Sequence, residues 1–257
     1  MSTFKPNVLS QQHTSLKSLI IPDSIITIDE YAFLSCRLLE FIVIPDSVNT
    51  IGNHAFFQCT SLKSIIIPNS VITIGERVFY QCTSLKSVVI GDSVNNIGNF
   101  AFDFCESLES IVIPDSVKNI GNHVFGGCKS LKSVVIGNSV KTIGNCAFFG
   151  CILLEYVVIP DSVNIIGYKA FEYCTSLKSV VVGNSVNTIG NEAFNHCTSL
   201  EYVVIPDSVT HIGECVFNNC PSLKIITING LLTEYLKEYF ETNYPKIDLE
   251  YNNYLLK

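Results

Sequence analysis

The chain is 257 residues long with a net charge of −7, 47% hydrophobic residues and only 15% charged ones. Its 16 Lys and Arg are dispersed, which leaves no basic stripe to neutralise phosphates and excludes a nucleic-acid binder. The apolar residues stand in short runs such as Ile65-Ile66-Ile67, far from the roughly 18 consecutive apolar residues of a membrane span.

From the amino terminus, residues 1–12 follow no period and are expected to form a cap, with no apolar stretch of signal-peptide length. A single repeat then runs over residues 13–230 and leaves no room for a domain boundary. Phe33, Phe56, Phe79, Phe102, Phe125, Phe148, Phe171, Phe194 and Phe217 return every 23 residues, each followed three residues later by Cys and then by Leu. Self-similarity at this period marks a solenoid, in which no coil buries its apolar side chains alone and each packs on the same residue of the next.

Residues 59–81 illustrate one coil. Leu62, Ile65 and Ile67 with alternating Ser64 and Ile66 predict a short strand of parallel sheet that ends at Pro68, which has no amide hydrogen for a ladder. Val71 and Ile74 predict a second short strand on another side. Gly75, in a column that stays glycine from Gly52 to Gly213, predicts positive φ or a close backbone approach. Residues 76–82 are expected to make one helical turn that drives Phe79 inward. Past the last coil, Leu232, Tyr235, Leu236, Tyr239 and Phe240 at helical spacing before Pro245 predict a helical cap over residues 231–257.

Nine of the eleven cysteines share one column. Their parallel Cβ vectors oppose the dihedral a disulfide needs, so buried free thiols are expected. Cys146 and Cys215 fall in another column and are expected to be exposed. The serine ladder from Ser24 to Ser208 is expected to satisfy backbone groups at the corners. Lys17, Glu40, Lys63, Lys86, Glu109, Lys132, Glu155, Lys178, Glu201 and Lys224 alternate in sign apart from one step, in phase with Gly91, Pro114, Gly137, Pro160, Gly183 and Pro206. Residues 85–222 thus read as three copies of a 46-residue double repeat.

Strings such as LESIVIPDSVKNIGNHVFGGC resemble the BspA-like leucine-rich repeats over about residues 13–230. The resemblance implies a strand-rich α/β fold: a right-handed leucine-rich repeat solenoid with a parallel β-sheet on its concave face, a second short-strand side and short helical turns. It also implies a surface or secreted adhesin, although no export signal or anchor is evident and the sequence alone points to the cytoplasm. The alternative is an intracellular protein-interaction module.

If Ile65 and Ile67 point inward, alternation sends Ser64, Ile66 and Pro68 to the concave face. The middle column then runs Ile20, Val43, Ile66, Val89, Val112, Val135, Val158, Val181, Val204 and Thr227, beside Phe41, Tyr156 and Tyr202. An apolar strip with amphipathic aromatics at its rim is a candidate protein-binding surface. The competing reading is that β-branched residues here only favour the sheet. No metal-ligand spacing, cofactor motif or catalytic residue is found: the five histidines are scattered, and His196 beside Cys197 belongs to a turn next to the buried column. The expected partner is a protein of unspecified identity, and the expected class is not an enzyme.

Overall fold

The computed structural model describes residues 3–4, 15–230 and 234–252. All but Thr3 and Phe4 of the expected amino-terminal cap therefore lies outside the described residues, as does Leu232.

Each coil has three sides. The first carries a strand such as Ser64–Ile67, Ser87–Ile90 or Tyr156–Val158, and these strands pair in parallel with the same column of the next coil, for example Ile66 with Val89 and Val158 with Val181. The second side carries two-residue strands such as Thr73–Ile74, which join into one ten-stranded parallel sheet from Thr3–Phe4 to His211–Ile212. Alternation sends Ile65, Ile67 and Ile74 into the core, where they are at most 2% exposed. Burying each such side chain contributes roughly 1.5–3 kcal/mol.

The third side departs from the expected helical turn. Arg77 and Gln81 have φ of 52° and 57°, and the same two columns are left-handed in every coil from Tyr31 to Asn219. A non-glycine residue in that region costs roughly 1–2 kcal/mol. The compensation comes from the neighbouring coil: the amides of Arg77, Phe79 and Gln81 donate to the carbonyls of Asn99, Ala101 and Asp103 at 3.0, 2.7 and 2.8 Å. A ladder of turns thus replaces a helix: these alternate amides point along the axis toward the carboxy-terminal coils, while those of Tyr80 and Cys82 donate back to Arg77 and Phe79 in their own coil. The glycine column is not where φ turns positive. A Cβ on Gly98 would stand 2.7 Å from the carbonyl carbon of Gly75, so close approach of successive backbones is the reason for glycine.

The phenylalanine column is a continuous stack. Ring centroids from Phe33 to Phe217 are spaced 5.0–5.7 Å and nearly parallel. Beside it, each thiol of the column from Cys59 to Cys220 donates to a phenylalanine carbonyl of the preceding coil, as Cys82 does to Phe56 at 3.2 Å. All eleven cysteines are free, and burial pushes the Cys220 thiol up to about 12 and the Cys82 and Cys174 thiols higher still. Cys215 is exposed as expected, but Cys146 is buried at 7%. It occupies a left-handed position of the turn ladder, packed among coils instead of facing solvent.

The double repeat shows in the corner hydrogen bonds. Ser116, Ser162 and Ser208, in the proline coils, donate to the carbonyls of Val94, Val140 and Val186 at 2.6–2.8 Å. In the glycine coils the amides of Asn138 and Asn184 are instead accepted by Asp115 and Asp161 at 2.7 Å. A Cβ on Gly137 would lie 2.3 Å from the Pro114 carbonyl oxygen, so glycine lets the two backbones approach closely at this corner, whereas the earlier corners stack Pro45 over Pro22 and Pro68 over Pro45.

The period continues past residue 230. The helix α1, Glu234–Asn243, buries Leu236 and Phe240, each 1% exposed, while Tyr235 faces solvent. Phe240 stands 23 residues after Phe217 in sequence, but the ring that meets Phe217 is Tyr244, edge-on at 5.9 Å. The chain then re-enters the sheet as Asp248–Asn252, paired with Ile225–Asn229 at the same 23-residue offset. At this end the amide of Phe217, whose equivalents donate to a following coil, is accepted by the Tyr244 hydroxyl at 3.0 Å. The Tyr239 hydroxyl donates to the Gly213 carbonyl at 2.8 Å.

Candidate functional site

Strand alternation on the first side turns every second residue outward, and register stacks those residues into a strip. Ile20, Val43, Ile66, Val89, Val112, Val135, Val158 and Val181 are 41–75% exposed. Their neighbours in the same strands, such as Ile65, Ile111 and Val157, are buried. Eight stacked aliphatic side chains therefore face solvent in one line, an arrangement that an isolated strand cannot produce and parallel in-register pairing imposes.

The strip stops short of its expected length. Val204 is 9% exposed and Thr227 1%, so the column is closed off where the strands lengthen to Tyr202–Pro206 and Ile225–Asn229. Tyr202 is half-buried, whereas Phe41 and Tyr156 are 50% and 55% exposed. Pro68 is buried as well, because the chain has already turned into the corner after Ile67. Of the eleven candidate surface residues, Val204 is thus part of the core.

At its rim the strip carries two copies of one polar arrangement. Lys178 Nζ lies 2.8 Å from Glu155 Oε2 and 5.5 Å from the centre of the Tyr156 ring. Five repeats earlier, Lys63 pairs with Glu40 and lies 5.3 Å over Phe41. The hydrogen bond and charge of the lysine hold the Glu155 and Glu40 carboxyls below their ordinary range. An ammonium over an aromatic face is an attraction that also fixes the ring, so Phe41 and Tyr156 are presented as oriented plates beside the apolar line. Sequence reasoning placed both aromatics and both ion-pair columns but did not join them; the signal was an aromatic immediately following Glu40 and Glu155.

His196 and Cys197 do not face one another. The His196 ring stacks on Tyr173 at 4.5 Å, while the Cys197 thiol donates inward to the Phe171 carbonyl at 3.2 Å. Among the described residues no group of three or more His, Cys, Asp or Glu converges to hold a metal ion, and no helix is long and apolar enough to cross a membrane.

Comparison with known proteins agrees with this geometry. A leucine-rich repeat protein from Bacteroides ovatus ATCC 8483 is 30% identical with a TM-score of 0.67, over 92% of this chain and 66% of that one. The chain thus spans about two-thirds of that relative's length. A leucine rich cell surface protein from Faecalibacterium prausnitzii A2-165 is 25% identical with a TM-score of 0.64, over 92% and 88% of the two chains. The leucine-rich repeat protein of T. pallidum is 26% identical with a TM-score of 0.56, over 92% and 87%. None of the curated proteins matches. The BspA type leucine rich repeat region, in six copies, matches residues 5–132 and 119–247; with the stacked coils and the Phe and Cys columns described above, the chain belongs to the BspA-type leucine-rich repeat family.

Proposed function

We propose that this protein is a non-enzymatic protein-binding scaffold whose recognition surface is the apolar strip of the first side, between Val43 and Val181, with Phe41 and Tyr156 as its aromatic anchors. The observation that carries this reading is the unbroken line of seven exposed aliphatic side chains from Val43 to Val181, at the scale where an apolar patch marks an interaction site. Tyr is enriched among residues that dominate binding energy, and each of these rings is held by its lysine before any partner arrives. A repeat scaffold displays a surface and needs no catalytic group. Residues 231–257 serve in this reading as the carboxy-terminal cover of the stack, supported by the Tyr244 hydroxyl taking the Phe217 amide.

The location that fits the relatives is the cell surface or the medium, supported by the cell-surface protein of Faecalibacterium prausnitzii at 25% identity. An intracellular interaction module is the second reading, favoured by the free state of all eleven cysteines. Labelling intact source cells with a membrane-impermeant amine reagent separates the two: labelling of this chain alongside an unlabelled cytosolic marker supports the surface reading, and protection supports the intracellular one. Pull-down with wild-type protein and with a Val112→Lys, Val158→Lys variant tests the strip. Loss of the wild-type partner from the variant is expected; its retention at equal yield discards the strip as the recognition surface.

A further inference from the structure

The turn side carries a feature unrelated to the strip. Asp103 is only 4% exposed, yet it lines a cavity of about 490 Å³. Three glycines shape the place. A Cβ on Gly126 would lie 2.5 Å from Asp103 Oδ1, so the carboxylate occupies the room that glycine leaves. A Cβ on Gly127 would meet the Phe104 ring at 2.7 Å, so that ring leans over the second glycine. Gly150, in the same column one coil on, has nothing within 4 Å of its Cβ position. The cavity opens there, walled by Phe104, Phe149 and Ile152.

No ion pair within 4 Å engages Asp103 among the described residues. The two cations at the rim have carboxylates of their own: Arg77 pairs with Glu76 and lies 4.5 Å over the Phe100 ring, and Lys129 bonds Glu106 at 2.8 Å. His123 stacks on Phe100 at 4.8 Å, and burial lowers its pKa, which favours the neutral ring. Burial pushes the Asp103 carboxyl up to about 7 against the opposing pull of the Phe104 backbone amide and the more distant Arg77 charge. A buried carboxylate without a cation is costly, and one set against aromatic faces offers a cation both a counter-charge and ring attraction.

We propose that this cavity binds an alkylammonium group, the chemistry presented by a lysine side chain, with Asp103 as its carboxylate and Phe104 and Phe149 as the faces that pack its methylene stem. The volume lies within the range of small-ligand sites. Sequence reading had no access to it, because Asp103, Gly127 and Gly150 come from three successive coils and each sits in a column of variable residues.

The test is an amide-resolved NMR titration of the full chain with n-butylammonium chloride, using sodium chloride as the ionic-strength control. Shifts at Gly127 and Gly150 are expected, with affinity in the range of about 1 mM. Asp103→Asn should weaken it by about tenfold or more. Gly150→Tyr should abolish it; that variant is compatible with the backbone, since Tyr173 holds the same position one coil later at φ 61° against 67° at Gly150. Acetyl-lysine-methylamide binding with comparable affinity assigns the site to protein lysines, whereas binding of butylammonium alone assigns it to free small amines. Equal affinity in the folded Asp103→Asn variant, equal affinity for uncharged n-pentanol, or no shift at Gly127 and Gly150 would overturn the proposal.

Discussion

The strand side and the turn side of this solenoid share one period but treat it differently. Along the strand side the outward column is Ile or Val from Ile20 to Val181, so each coil repeats its neighbour and the product is one extended, uniform surface. Along the turn side the column containing Asp103 runs Leu34, Phe57, Tyr80, Asp103, Gly126, Phe149, Glu172, Asn195 and Asn218. Its backbone is just as regular, held by inter-coil amide bonds such as Phe79 to Ala101 at 2.7 Å, and the side chains are therefore free to differ. Regular side chains build an apolar face of large area; regular backbone with irregular side chains builds local pockets.

The largest expected effect removes what the two sides have in common. Phe125 lies between Phe102 and Phe148 in the stack at 5.5 and 5.3 Å, and Phe125→Ala should destabilise the protein by about 3–5 kcal/mol. Denaturant melts would show it, with both sides lost in one transition. A loss of 1 kcal/mol or less would mean that the coils close over the gap and that the spine is not shared.

Asp103→Asn sharpens the contrast by acting on the turn side alone. With its folded pKa raised to about 7 by burial, Asp103 holds a proton that the unfolded chain releases above about pH 4. Stability from this group is complete below pH 4, falls as pH rises toward 7 and is flat above that. The asparagine variant should match the wild type at pH 4 and exceed it at pH 8 by on the order of 2 kcal/mol, allowing for water at the cavity mouth. Equal differences at both pH values would show that Asp103 ionises normally.

On the strand side, Val112→Thr with Val158→Thr should change stability by about 0.5 kcal/mol or less, since both are more than 60% exposed. A loss above about 2 kcal/mol would show that the strip is structural material and weaken its reading as a recognition surface. A comparably small effect, of opposite sign, concerns the left-handed backbone. Cys215 is exposed at φ 56°, and Cys215→Gly should stabilise by about 0.5–1 kcal/mol by relieving that conformation. Cys215 should also be the thiol that reacts at once with a disulfide reagent in native protein, the buried ones following only on unfolding.

The core was legible in the sequence because a column of identical residues at a fixed period admits one arrangement. Phe33 to Phe217, the cysteines beside them and the inward Ile and Val positions follow from the period and from strand alternation alone. The same logic placed the strip from Val43 to Val181, and the 23-residue offset from Phe217 to Phe240 and from Ile225 to Asp248 shows the period running on beneath the helical pattern around Leu236. What only the tertiary structure decided is whatever depends on the next coil. Left-handed Arg77 and Gln81 have no local signature, because their conformation is stabilised by carbonyls at Asn99 and Asp103, 22 residues away. The closing of Val204 and the meeting of Asp103 with Gly126, Gly127 and Gly150 have the same origin: contacts between coils select conformations that no single repeat would choose by itself.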